Sequence, residues 1–445
     1  MRQLIPLFLL LAAYLFVAAL YAVGVPPWQA PDEPAHYNYI RQLAGGALPV
    51  MAPGDYDQAY LDEIRGAKFA PQYSIASIEY EDWQPPLYYL LLAPVYALSG
   101  GSLTAARLVS TLFGAGLVVL AWGITRLLFP KQGWLALTTA VFVAFLPQHL
   151  HIMASLNNDS LAELLIAATL YLLVWWTVRG VERGSRRETA VLLLLGLLLG
   201  LSFLTKGSSY LNAPLIGLVL WWQYRGAWLV LLRRGLLIFA PAVLLGSVWW
   251  GRNLVVYGGL DFLGKAAHDA VVTGQPRTAE WVARSGLAGT VTHFLRTTFN
   301  SFWGQFGWMA VPLPARIYGA LGLLVAAAVT GLVIWAVSGR KWDGGRYGRI
   351  HFFLFLLLLL LTAGLHVAYN VTFVQPQGRY LYPALIPLAL GMAIGLGAWV
   401  TLLARPGLSR WPWLPWLLPL TLGLGFLALD IFALYRWIIP LLTYT

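Results

Sequence analysis

Apolar runs about as long as a bilayer is thick recur along the whole chain, and they decide what it can fold into. A helix needs about 20 predominantly apolar residues to cross the hydrocarbon core. Runs of that order cover 4–25, 104–128, 134–151, 159–178, 189–205, 209–223, 235–256, 315–337, 350–369, 380–403 and 413–435. Inside lipid every backbone polar group must be paired within the protein, so such segments form helices. The expected fold is an all-α polytopic membrane protein, a single membrane-embedded domain over 1–445. Composition agrees: 59% of the 445 residues are hydrophobic and 11% charged, against about 25% charged in a soluble domain. The absence of cysteine excludes disulfides, thiolate metal sites and cysteine nucleophiles. Net charge is +11, but the cations fall in short loops between apolar runs. Membrane lipids are therefore the expected partners, and nucleic acid is not.

The run 85–98 is apolar but too short to cross unaided, so it reads as interfacial or re-entrant. Without it the chain has 11 spans. The first, preceded by Arg2, reads as a retained signal-anchor. With a cytoplasmic N-terminus, the inner loops then collect Arg126 and Lys131; Arg179, Arg183, Arg186 and Arg187; Arg225, Arg233 and Arg234; Arg340, Lys341, Arg346 and Arg349; and Arg405 and Arg410. Of the acids, only Glu182, Glu188 and Asp343 join them. Lys and Arg in short loops set orientation, which predicts an inner or plasma membrane protein with an extracytoplasmic C-terminus.

Two outer segments are then long, 26–103 with juxtamembrane helices and 257–314. The second carries Val291, Phe294, Leu295, Thr298, Phe299 and Phe302 at helical spacing, an amphipathic stripe. It reads either as a helix resting on the bilayer or as a mobile lid. No internal repeat or symmetry between halves is visible, which argues against a transporter. Ionisable groups are nearly absent at mid-span. Asp430 is the main exception, and snorkelling or pairing with Arg436 accounts for it.

Polar chemistry collects instead at the outer helix ends. Just after the first span comes Pro31-Asp32-Glu33-Pro34-Ala35-His36-Tyr37, with two adjacent carboxylates at the start of a predicted helix over 33–44. The plainer reading is N-capping; the other is a general base where the chain leaves the membrane. A second group is Asn157-Asn158-Asp159-Ser160, with Glu163 four residues after Asp159 on the same helix face, and His149 and His151 just before. Capping is again the plainer reading. A third set is basic: Lys206, Arg252 and Arg379, each at an outer span end beside a glycine. They read either as cations snorkelling to headgroups or as a phosphate clamp.

Taken in order, Asp32-Glu33, Gln84-Pro85-Pro86-Leu87-Tyr88-Tyr89, Asn157-Asn158-Asp159 and Gly378-Arg379-Tyr380 with Pro383 resemble the GT-C superfamily of integral-membrane glycosyltransferases. The likeness is to its aminoarabinose-transferase-like and protein O-mannosyltransferase-like members and to an uncharacterised bacterial branch. The resemblance implies a GT-C fold with juxtamembrane helices in the first outer loop. It implies a catalytic role for Asp32, with Glu33 beside it, and for Asp159. The cations Lys206, Arg252 and Arg379 are expected to bind the donor phosphate, and His36, Tyr37, Gln84, Tyr88, Asn158 and Tyr380 to contact the substrate. One departure stands out. Aminoarabinose-transferase-like enzymes carry Glu-Lys before the Pro-Pro, where this chain has Trp83-Gln84. That leaves both the donor and metal dependence open, with a divalent cation as the one candidate cofactor.

No Gly-rich nucleotide-binding loop is present. A glycosyl donor would then arrive in the membrane as a polyprenyl-phosphate sugar, and the acceptor would be a lipid, glycan or protein hydroxyl. The rival readings are a lipid-linked glycan transporter or flippase, and a glycan polymerase or ligase.

Overall fold

The computed structural model describes residues 4–338, 348–403 and 411–444. Of the topology residues above, Arg2, Arg340, Lys341, Asp343, Arg346, Arg405 and Arg410 lie outside the described residues. The helices, in chain order, are α1 (Ile5–Gly24), α2 (Glu33–Ala44), α3 (Gln58–Gly66), α4 (Leu87–Leu98), α5 (Leu103–Leu128), α6 (Gly133–Phe145), α7 (Pro147–Met153), α8 (Asp159–Arg179), α9 (Arg186–Phe203), α10 (Asn212–Tyr224), α11 (Trp228–Tyr257), α12 (Lys265–Val271), α13 (Thr278–Trp303), α14 (Ala315–Val337), α15 (Arg349–Thr372), α16 (Leu385–Leu403), α17 (Leu417–Ala433) and α18 (Ile439–Leu442). The chain is a helical, multi-pass membrane protein. Among the described residues, 8 helices are long and apolar enough to cross a membrane, or 9 if the bent pair α6–α7 is one span. Two further apolar runs form α9, which opens on Arg186, Arg187 and Glu188, and α10, of 13 residues.

The sequence predicts one continuous helix over 134–151, and there the structure differs. The chain bends by 65° between α6 and α7. Pro147 is the cause: the residue before a proline is driven out of the helical region, and Leu146 sits at φ −69°, ψ 115°. The segment 85–98 forms α4, only 12 residues long, packed on α2 and α5.

Contacts between helix ends fix their alternation. At one end, Thr177 near the end of α8 meets His351 at the start of α15 (2.9 Å), and Glu188 at the start of α9 pairs with Arg234 of α11 (3.0 Å). At the other end lie the exit of α1, the starts of α5 and α8, the exit of α9 and the start of α16. Local signals set several boundaries: Ser102 accepts from Ala105 N to cap α5, Ser185 accepts from Glu188 N to cap α9, and Gly180 closes α8 at φ 61°.

The large side chains facing outward from the spans are apolar, as lipid contact requires: Leu244 is 71% and Leu323 74% exposed. Inside, small residues let helices touch, as membrane helix pairs prefer. A Cβ on Gly331 of α14 would meet Gly395 O of α16 at 2.0 Å. Asp430 neither snorkels nor pairs with Arg436. Its side chain is buried with neither oxygen hydrogen-bonded, and its backbone oxygen accepts from Tyr21 OH at 2.9 Å. Arg436 lies exposed.

Candidate active site

Where α1 ends, the chain enters a turn with two left-handed non-glycine residues, Trp28 (φ 69°) and Asp32 (φ 67°). Such backbone is costly and persists only where surrounding structure enforces it. Asp32 precedes α2, yet its side chain makes no capping bond. It accepts instead from Tyr80 OH (Oδ1, 2.9 Å) and pairs with Arg379 Nη2 (Oδ2, 2.5 Å). Burial alone would raise the Asp32 carboxyl. The nearby Arg379 charge, the field of His36 and the hydrogen bonds from Arg379 and Tyr80 outweigh it and hold the group down at about 2.

Glu33 turns the opposite way. Arg107 of α5 grips it through Nε (2.7 Å) and Nη2 (2.5 Å), and the same carboxylate accepts from Trp28 N and Leu156 N. Arg107 also donates to the carbonyls of Ala22, Val25 and Pro26 at the end of α1. Both side chains are buried. The pair is a structural staple joining α1, α2 and α5, and it leaves Glu33 no oxygen without a partner. Sequence reading passed over Arg107, although a lone Arg early in an apolar run is a signal in itself.

Asp159, first residue of α8, pairs with Lys206 just past α9 (2.6 Å). Asn158 donates to Gln84 Oε1 (3.4 Å) and Tyr89 OH (3.3 Å), while its own Oδ1 is buried without a partner. His36 meets Tyr89 OH through Nδ1 at 2.9 Å. Burial pushes it down to about 3, against the pull of Asp32, so it is neutral. Tyr37 is tied to Gly101 O and Tyr88 to Ser110 and Asn157 N. Tyr37 thereby ties α2 to the turn before α5, Tyr88 ties α4 to α5 and the turn before α8, and neither lines the cavity beside Asp32.

A cavity of about 450 Å³ opens beside the ion pair. Asp32, Tyr80, Glu81, Arg379, Tyr380 and Trp308 are among the residues lining it. Arg379 is itself buried, with Nε and Nη1 lacking any hydrogen-bond partner. Lys206 and Asp159 do not line this cavity, though the charge of Lys206 reaches both His36 and Glu81. Arg252 is not brought to it. It donates to Pro49 O and Asn253 Oδ1 and stacks on Trp249 and Tyr257, fastening the first loop to α11.

Gly378 lets a backbone approach, but the backbone is that of α13. A Cβ there would meet Phe302 N at 2.3 Å and Thr298 O at 2.4 Å. The apolar stripe of α13 thus lies partly against the turn that carries Arg379, while Val291 and Leu295 remain exposed. The hairpin after α13, Gln305–Phe306 with Val311–Pro312, brings Trp308 to the cavity, where Arg65 stacks on it at 5.0 Å. Among the described residues no group of three or more His, Cys, Asp or Glu is placed to hold a metal ion.

Residues 83–249 match the family model described as dolichyl-phosphate-mannose-protein mannosyltransferase. The match takes in Gln84-Pro85-Pro86, Asp159 and Lys206. The match agrees with the resemblance to membrane glycosyltransferases read from the sequence. The match spans less than half of the chain, leaving Asp32 and Arg379 outside it. No curated protein was matched. Among solved structures, two similar ones are an archaeal and a bacterial protein. The oligosaccharyltransferase of Archaeoglobus fulgidus, in complex with zinc and sulfate, is 13% identical over 93% of this chain and 53% of its own, with a TM-score of 0.48. ArnT from Cupriavidus metallidurans, bound to undecaprenyl phosphate, is 15% identical over 98% of this chain and 73% of its own, with a TM-score of 0.49. The chain thus spans about half the length of the archaeal enzyme.

Proposed function

We propose that this GT-C-like chain transfers a sugar from a polyprenyl-phosphate donor to an acceptor hydroxyl at the extracytoplasmic face of the membrane. The observation that carries the reading is the Asp32–Arg379 pair on the wall of a polar cavity, with two buried Arg379 donors unused. A guanidinium with open donors suits phosphate oxygens, which it binds in pairs.

Asp32 takes the role of base. Glu33, fully engaged by Arg107 and backbone amides, serves the scaffold. The acceptor O–H gives its proton to an Asp32 oxygen as its own oxygen attacks the anomeric carbon. The bond from that carbon to the phosphate oxygen breaks, and the electron pair leaves with the phosphate. Arg379 meets the growing negative charge, an interaction stronger in the transition state than in the ground state. In the resting pair Asp32 is a weak base, because Arg379 stabilises its ionised form. A phosphate that draws on the same guanidinium loosens that hold and makes Asp32 a better proton acceptor. Lys206 adds positive potential nearby, restrained by Asp159.

The test is incubation of the purified protein with radiolabelled polyprenyl-phosphate sugars and a membrane extract, followed by identification of the labelled product. Wild type is expected to give product and Asp32→Asn to lose it by about 10²–10⁴-fold, the usual worth of general-base catalysis. A carrier without chemistry gives no product from either.

A further inference from the structure

Glu81 lines the same cavity as Asp32 and Arg379, and the fold makes little use of its carboxyl. Its Oε2 is buried and meets no hydrogen-bonding group of the protein. Glu33 has both oxygens engaged. Asp82 places Oδ2 on Gln42 at 2.7 Å and leaves Oδ1 without a partner, but it is not among the residues lining this cavity. A buried polar atom with no partner costs free energy, and Glu81, lining a polar cavity together with Asp32 and Arg379, is placed to meet a ligand. Tyr80, the residue before it, already holds Asp32, so one short segment, 80–81, delivers two groups to the site.

We propose that Glu81 is a further working side chain of this site, a neutral carboxylic acid that donates a hydrogen bond to a hydroxyl oxygen of the sugar held beside Asp32 and Arg379. The proposal rests on the glycosyl-transfer reading above and adds a residue that fixes how the sugar sits. The charged and titratable groups around it account for its proton. Burial raises Glu81 most, and the negative Asp32 raises it further. Lys206, the Gln84 side chain and Arg379 oppose, and the balance lies at about 8. Tyr80 precedes it, Tyr89 of α4 and Tyr369 of α15 feel its charge, and His268, Asp62 and Arg65 stand elsewhere on the cavity wall. Two carboxyls in one cavity are thereby driven apart, Asp32 ionised and Glu81 protonated at neutral pH, a separation that assigns them different tasks.

Two measurements test it. Infrared spectra of the purified protein should show a protonated-carboxyl carbonyl band that fades as pH rises through about 8 and is missing in Glu81→Gln. Asp82, also raised by burial to about 8, is separated from it by Asp82→Asn. In the transfer assay with radiolabelled polyprenyl-phosphate sugars, wild-type turnover should fall as pH rises through the same range. Glu81→Ala should lower the rate below that range by about tenfold, the worth of one well-placed hydrogen bond. Glu81→Gln should lose less, because its amide still donates, and should lack the alkaline fall. If the alkaline fall survives in Glu81→Gln, or if Glu81→Gln is inactive at every pH while wild type works, the neutral-donor role is overturned. Absence of transfer by wild type overturns the glycosyltransferase reading itself, an outcome distinct from either.

Discussion

Asp32 and Glu33 are neighbours in the chain and opposites in space: Asp32 reaches Arg379 at 2.5 Å, while Glu33 is gripped by Arg107 on the far side of the same turn. The left-handed backbone at Asp32, φ 67°, is what sends consecutive side chains to different partners. One carboxylate faces the cavity and the other closes the scaffold. The two variants should therefore fail differently. Glu33→Gln leaves Arg107 buried and uncompensated, which costs about 3–5 kcal/mol for a pair broken on one side, and thermal unfolding in detergent should fall accordingly. Asp32→Asn also deprives a buried guanidinium of its partner, but at the wall of an open cavity and with a more exposed carboxylate, so it should lower the unfolding temperature less than Glu33→Gln while losing turnover. Equal loss of stability in both would mean that the two carboxylates serve the scaffold alike.

Arg379→Lys keeps the positive charge but offers one ammonium in place of a planar fork. Nη2 is committed to Asp32, and the unused Nε and Nη1 are what lysine cannot reproduce. The expected loss is in turnover, more than in donor affinity, because the contact strengthens as charge develops. Wild-type turnover from Arg379→Lys at saturating donor would discard the clamp.

Gly378→Ala tests how the clamp is carried. The added methyl would run into the backbone of α13 at Phe302 and Thr298, and neither atom is the flexible end of a side chain. Overpacking of this kind costs about 1–3 kcal/mol. The measurement is unfolding temperature together with turnover, and both should drop. Gly364→Ala, on α15 with open space around its Cβ position, should change neither.

Orientation is checked by labelling intact cells with an impermeant thiol reagent. A cysteine replacing exposed Ala52, in the first long loop, should react. One replacing exposed Glu182, in the Arg-rich turn between α8 and α9, should not. Reaction at Glu182→Cys would invert the site to the cytoplasmic side.

The helical, membrane-spanning character was legible because lipid leaves the backbone no alternative, and run length reports it directly. The break within 134–151 was also written in the chain, as Pro147, but a proline in an apolar run is read as a kink only when the preceding residue's backbone is considered. Among site residues, Asp32 and Arg379 were legible from their motifs, and their pairing was not, since 347 positions separate them. Arg252 looked equivalent to Arg379 in sequence, a cation beside glycine at a span end. Only packing separates them: Arg252 is spent on Pro49 and Tyr257. Glu81 carried no mark in the sequence, because its distinction is an empty hydrogen-bonding position, and emptiness has no motif. Capping, the plainer account of Asp32, failed because Tyr80 and Arg379 compete better for its oxygens than the helix amides do.

The span between Asp32 and Arg379 also orders events during synthesis. Asp32 leaves the ribosome after one transmembrane helix, and Arg379 only after α15 has been made. Throughout that interval the nascent chain holds an acid with no guanidinium to meet it, while the Arg107–Glu33 staple can already close. The staple beside the base can therefore close well before the base is quenched, and an intermediate arrested before Arg379 would display an unguarded carboxylate at the exit of α1.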